Sequence, residues 1–397
     1  MRVTSDSLRT IFLNTLQTTQ RQLFDTQNRI ATGRRINSPA DDPLGAARIA
    51  ELDASLARID QYQANGVLAR NRLSLEEETL VGVIDNLQRS YELAVQANNA
   101  TVSDSDRAAI ALELRQRRDG LVALANSVDS GGRYLFAGFQ ENAKPFSLTA
   151  AGVVYAGDEG SRTLQIGAER FVAVGDAGSE VFQRVLNGNG TFTLAADAAN
   201  TGTGVLGAGS VTDPAAWVAD SYTIEFVSPT DYEVRDSGGG LVLAATWAPG
   251  QALAFPGVSI ELSGSPASGD RYTVAPSSSQ DIFTTLDKLI GALEQPRPAP
   301  ADRARLNTEV GQLLRDIDQG IEHVINVRAD IGARLRAIDD EAAVNDGVGL
   351  SLTSTLSEVR DLDYAEAISL LSQQLMGLEA AQQSYVRIQG LSLFNFL

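Results

Sequence analysis

The chain contains no cysteine, one histidine and two lysines. Without cysteine there is neither a disulfide framework nor a thiolate metal site. The lone histidine, His323, excludes an HExxH motif and any two-histidine metal centre. As a base it would need a partnered nucleophile, which no spacing signals, so a structural role is expected for it. Lys144 and Lys288 are the only lysines, and neither follows a phosphate-cradling loop. No run of about 18 apolar residues occurs, which argues against a membrane-spanning helix. Asp6 and Arg9 interrupt any apolar segment of a signal peptide. The expectation is therefore a cytosolic protein, or one exported without a cleaved signal.

Basic residues are also scarce. The formal charge is −18, which argues against partners that are nucleic acid or anionic membrane. Residues 141–280 carry half of the imbalance, with 6 basic against 15 acidic side chains, as on a solvated outer surface. Hydrophobic content is 43%; this suggests an elongated α+β molecule with modest cores, in two or three domains.

What is present is a repeated spacing at the two ends. Tyr364, Ile368, Leu371, Leu375, Leu378, Gln382 and Tyr385 follow steps of four and three, as do Phe12, Leu16, Thr19, Leu23, Thr26 and Ile30. That is the seam of a coiled coil, narrower than the stripe of an ordinary core helix. After Asp363 only Glu366, Glu379 and Arg387 are charged, and the chain ends in Leu391, Leu393, Phe394, Phe396 and Leu397. So apolar a tail needs a partner: the N-terminal helix of the same chain, together with neighbouring copies. An amphipathic helix on a globular core is the plainer reading of either seam alone.

Between the ends, residues 4–32 are predicted helical with Gly33 as the left-handed stop. Asp42-Pro43 restarts the helix after a turn in which Arg34 and Arg35 face Asp41 and Asp42 as a small ion network. Proline is then missing from 44 to 144 and again after Pro300, which predicts long helices. Ser103 to Asp106 reads as a capping signal, with Gly131-Gly132 ending that helix. From 131 to 280 lie 22 of the 35 glycines, and periodicity turns to alternation, as in Tyr222, Ile224 and Phe226. That predicts antiparallel hairpins in an inserted domain. A further helix runs from about 301 to 344, and Asp346 to Gly349 loosens the chain before the final coil. The expected division is 1–42 with 352–397 as terminal coiled coil, 43–135 with 280–351 as a helical bundle, and 136–279 as the β-rich insert.

Signals for chemistry are weak. Gly202 to Gly207 satisfies G-x-G-x-x-G, but no strand precedes it and no helix follows. Glu76-Glu77-Glu78 and Asp339-Asp340-Glu341 read as solvated helix faces. Trp217, Tyr222, Tyr232 and Trp247 offer a sugar platform if exposed, or a core if not. No enzyme, metal or cofactor is expected.

Ile30 to Ala50, IATGRRINSPADDPLGAARIA, resembles the N-terminal signature of bacterial flagellins and their relatives. Leu356 to Leu375, LSEVRDLDYAEAISLLSQQL, resembles the matching C-terminal one. The positions that carry the likeness include Arg34, Asn37, Asp41, Asp42, Asp361, Asp363 and Tyr364, and it covers roughly 1–145 and 280–397. Gly132 to Phe146 is similar to the entry into the β domain of the family's hook–filament junction branch. The resemblance implies a structural adaptor that leaves the cell through the flagellar export channel and assembles as a ring. The partners it implies are copies of itself, hook-associated protein 1, flagellin and an export chaperone. Its assembly interface would use Phe12, Leu16, Leu23, Ile30, Tyr364, Ile368, Leu371, Leu375, Leu378 and Tyr385. The alternatives are a filament subunit and a glycan-binding surface adhesin.

Overall fold

The computed structural model describes residues 5–390; the apolar tail from Leu391 to Leu397 lies outside them. Two compact units are present: the two ends of the chain, up to residue 64 and from residue 341, and residues 65–340. The expected class holds, with long helices from both ends of the chain and an antiparallel β-rich domain between them.

Six helices carry most of the chain: α1 (Ser5–Thr32), α2 (Pro43–Ala97), α3 (Asp104–Ala125), α4 (Ile282–Glu294), α5 (Pro300–Arg360) and α6 (Tyr364–Gly390). Their starts are set by side chains that accept the otherwise unpaired first N–H groups. Asp42 accepts from Gly45 N–H at the head of α2, and Asp281 from Thr284 N–H at α4. Asp363 accepts from Ala365 and Glu366 N–H at α6. Ser103 and Asp106 close a reciprocal capping box on α3. That helix stops at Asn126 rather than at Gly131-Gly132, which instead sit in a tight turn closed by Asp129.

α5 corrects a second expectation, because it runs unbroken through Asp346 to Gly349. A glycine inside a helix costs roughly 1 kcal/mol. Here the helix is held on both sides of that stretch, with Asn345 and Leu356 buried, while Gly349 rests against Ile59.

Within residues 65–340, α2, α3, α4 and α5 share one core with the first part of the insert. This part contains the short strands β1 (Phe146–Thr149), β2 (Gly152–Tyr155), β3 (Thr163–Gln165), β4 (Phe171–Ala173) and β5 (Val185–Leu186). Phe136, Phe146, Phe182 and Phe283 form its aromatic centre, with ring centroids 5.1–5.9 Å apart. Each such ring stabilises the fold by about 1.5–3 kcal/mol through burial alone.

The rest of the insert is a two-sheet sandwich with its own core. Its strands are β6 (Phe192–Ala196), β7 (Val205–Val211), β8 (Tyr222–Phe226), β9 (Asp231–Arg235), β10 (Leu241–Thr246), β11 (Ala252–Phe255), β12 (Val258–Ser263) and β13 (Arg271–Pro276). One sheet runs β10-β9-β8-β13-β6 and the other β11-β12-β7, all antiparallel. A last short strand, β14 (Ser279–Gln280), returns to pair with β5. The alternation foreseen for β8 is strict: Tyr222, Ile224 and Phe226 all point inward.

α5 holds this sandwich through a polar stripe one turn apart per residue. Thr308, Gln312 and Asp316 accept from the backbone N–H groups of Leu206, Leu194 and Gly188 in turn.

Candidate functional site: the paired chain ends

The signature positions converge on one small clasp. α1 stops at Gly33, whose φ of 68° is the left-handed conformation that glycine adopts without a Cβ penalty. The chain then meets the turn between α5 and α6. Arg34 and Asp361 form an antiparallel bridge, Arg35 N–H donates to Arg360 C=O at 2.8 Å, and Leu362 N–H donates to Gly33 C=O at 3.0 Å. The Arg35 guanidinium adds a bond to Val359 C=O at 2.8 Å. Both helix breaks are therefore closed by each other.

Other side chains set the shape of each turn. Thr32 donates its hydroxyl to Asn37 Oδ1. Asp41 accepts from the N–H groups of Ser38 and Asn37, and these bonds hold its carboxyl below the usual carboxylate range. Asp361 is likewise lowered, first by the Ser357 hydroxyl and then by Arg360. The anticipated ion network of Arg34 and Arg35 with Asp41 and Asp42 is not what forms. The acids serve as backbone acceptors and the arginines reach the other turn, because unpaired N–H and C=O groups cost more than exposed ion pairs return.

From the clasp α1 and α6 run antiparallel. On α1 the inward positions are Phe12, Leu16, Thr19, Leu23, Thr26 and Ile30, with Leu23 and Thr26 buried. Phe12 stacks on Tyr385 at a centroid distance of 5.2 Å and an interplanar angle of 16°. On α6 the positions turned inward are Ala367, Leu371, Gln374, Leu378, Ala381 and Tyr385. Leu371, Leu378 and Tyr385 thus belong to the packed seam. Tyr364, Ile368 and Leu375 do not; they are 51%, 54% and 42% exposed.

α6 therefore carries two neighbouring stripes. At about 100° per residue, the exposed set lies roughly 80° around the helix from the packed one. The seam expected from the sequence merges the two and includes Gln382, which is exposed. Ala367, Gln374 and Ala381 keep the same steps of four and three but carry no large apolar side chain to mark them. α1 also has exposed apolar residues, Ile11, Leu13 and Phe24, off its seam. The unit formed by the chain ends buries few large apolar residues, chiefly Leu23, Ile36, Leu52 and Leu356.

Other candidates take structural places. His323 Nε2 lies 2.8 Å from the Glu180 carbonyl oxygen. Gly202 to Gly207 enters β7, its start held by the buried Asp270 carboxylate through Thr201 and Gly202 N–H. The acidic triplet of α2 is not wholly solvated: Glu76 is buried, and Glu77 pairs with Arg328. Tyr222, Tyr232 and Trp247 lie in the sandwich core, and Trp217 packs on Phe192 and Tyr222. They form no exposed sugar platform.

Comparison with known proteins gives this arrangement its class. Residues 4–141 match the model of the bacterial flagellin N-terminal helical region, and residues 195–276 that of the flagellar hook-associated protein 1 D2-like domain. The chain is thus a flagellin-type protein, built on paired terminal helices. It is similar to flagellar hook-associated protein 3 of Escherichia coli, 25% identical across 92% of this chain and 90% of that one. The crystal structure of FlgL from Xanthomonas campestris is 37% identical, with a TM-score of 0.72, covering 77% of this chain and 99% of that one. Hook-associated protein-3 of Legionella pneumophila is 32% identical with a TM-score of 0.76, over 78% and 98%. The chain belongs to the flagellar hook-associated protein 3, or FlgL, family.

Proposed function

We propose that the chain is a structural adaptor of the bacterial flagellum, without enzymatic activity, that joins hook to filament. It assembles as a ring with copies of itself, on hook-associated protein 1 and beneath the first flagellin subunits. It reaches this extracellular position through the flagellar export channel, without a cleaved signal peptide, accompanied by a chaperone that covers α6. In this reading 1–42 and 352–397 form the inner coil, 43–135 and 280–351 the helical middle, and 136–279 the outer surface.

The observation that carries the reading is the second stripe of α6. Tyr364, Ile368 and Leu375 are exposed beside a seam already filled by α1. Apolar rows of this length on a soluble protein mark a protein interface. Burying them between copies releases about 25 cal/mol per Å² and strands no charge.

Deletion of the gene tests this. Hooks without filaments, with flagellin monomer shed into the medium, are expected, and the wild-type gene restores the filament. A deletion strain that still builds filaments of normal length on its hooks would overturn the proposal.

A further inference from the structure

A cleft in residues 65–340 takes no part in the paired ends. It holds ≈ 640 Å³ between the edge strand β6 and the helices α4 and α5, a size within the ~300–1,000 Å³ of small-ligand sites. Its helical wall presents Lys288, Arg297 and Arg305 against Glu309 and Asp316. Both acids are already engaged. Glu309 pairs with Arg297 at 3.0 Å, and Asp316 accepts from Gly188 N–H and the Gln280 and Gln312 amides. Arg305 is in turn paired with Asp302 one turn earlier on α5, so Lys288, whose ammonium donates to the Gln280 side-chain oxygen, is the lining cation that no carboxylate neutralises.

The two arginines share a second property. The Nε–H of Arg297 and that of Arg305 are each buried without a protein acceptor. A desolvated donor left unpaired costs about 1–3 kcal/mol, and more when it is charged. Guanidinium forks match the oxygens of carboxylates and phosphates better than any other ligand chemistry. Ala195 and Ala196 of β6 line the same cleft with small, uncharged side chains.

We propose that this cleft binds a small ligand bearing oxyanion groups, held between Arg297, Arg305 and Lys288. The arginine side chains turn toward the ligand, which supplies the acceptors that the protein does not. The site is independent of the role at the junction and stands or falls separately.

Calorimetric titration of the full-length protein with sodium phosphate, citrate and glucuronate, at constant ionic strength, tests it. Phosphate separates an inorganic anion from the carboxylate ligands. The expected result is saturable one-to-one binding of at least one probe with a Kd below about 1 mM, weakened tenfold or more in Arg305→Gln. Lys288→Gln, at an exposed position, provides the same test should Arg305→Gln lower the melting temperature. No saturation by any probe up to about 10 mM, or unchanged affinity in both variants, overturns the proposal.

Discussion

A β-carbon placed on Gly33 would stand 2.8 Å from the hydroxyl oxygen of Tyr364. The phenol thus covers the residue that ends α1, and the left-handed φ of Gly33 makes the position doubly intolerant. Gly33→Ala is expected to cost about 1–2 kcal/mol from backbone strain, plus displacement of the ring. Lowered stability of the chain ends, read as faster amide exchange in α1 and α6, is the check; unchanged exchange would remove the clasp from the argument.

The two stripes of α6 separate folding from assembly. Leu23→Ala empties a buried place in the seam and should cost about 2–3 kcal/mol in the pairing of α1 with α6. Ile368→Asp and Leu375→Asp alter exposed positions, so monomer stability should stay within about 0.5 kcal/mol. Incorporation into the appendage should nevertheless fail for both. Filaments rebuilt by the aspartate variants would show that the open stripe has no assembly role.

Glu76 gives the pH dependence its sign. Its carboxylate is buried beside Asp176, itself held by Arg334, and accepts Asp176 N–H at 3.1 Å. Burial first, and then the Asp176 charge, push its pKa up to about 8. The folded state therefore holds a proton that the unfolded state, titrating near 4.5, has lost. This contribution is full at acid pH and declines as pH rises through that window to about 8. Glu76→Gln should flatten the fall in melting temperature between about pH 6 and 8. A variant curve parallel to wild type would contradict the assignment.

Asp316 anchors the sandwich on α5. Asp316→Ala removes the acceptor of the buried Gly188 N–H bond, 2.6 Å in length, at a cost of about 1–3 kcal/mol. Proteolysis should then enter first around Asn187 to Asn189. Unchanged cleavage kinetics would argue that Thr308 and Gln312 suffice.

Local signals were legible where a side chain acts within one turn of helix or strand. The capping box at Ser103, the stop at Gly33, the restart at Asp42-Pro43 and the alternation of β8 are of that kind. The α1 seam was also legible, because its partner helix demands a strict spacing. What the residues could not show was which of two neighbouring stripes on α6 faces inward, since that choice is made by α1. Nor could they show the path of α5 through Gly347 and Gly349, where distant packing outweighs a weak local preference. The pairing of β5 with β14 joins Val185 to Gln280 and has no local signal. The Thr308–Gln312–Asp316 stripe looks like any solvated face until the strands that donate to it are in place.

Arg35 reaches Val359 across 324 positions of sequence. Nothing made earlier in synthesis can substitute for that contact, so the ribosome must deliver nearly the entire polypeptide before the clasp can shut. Until then α1 has no mate, so the helix that leaves the ribosome first is the one whose seam is covered last.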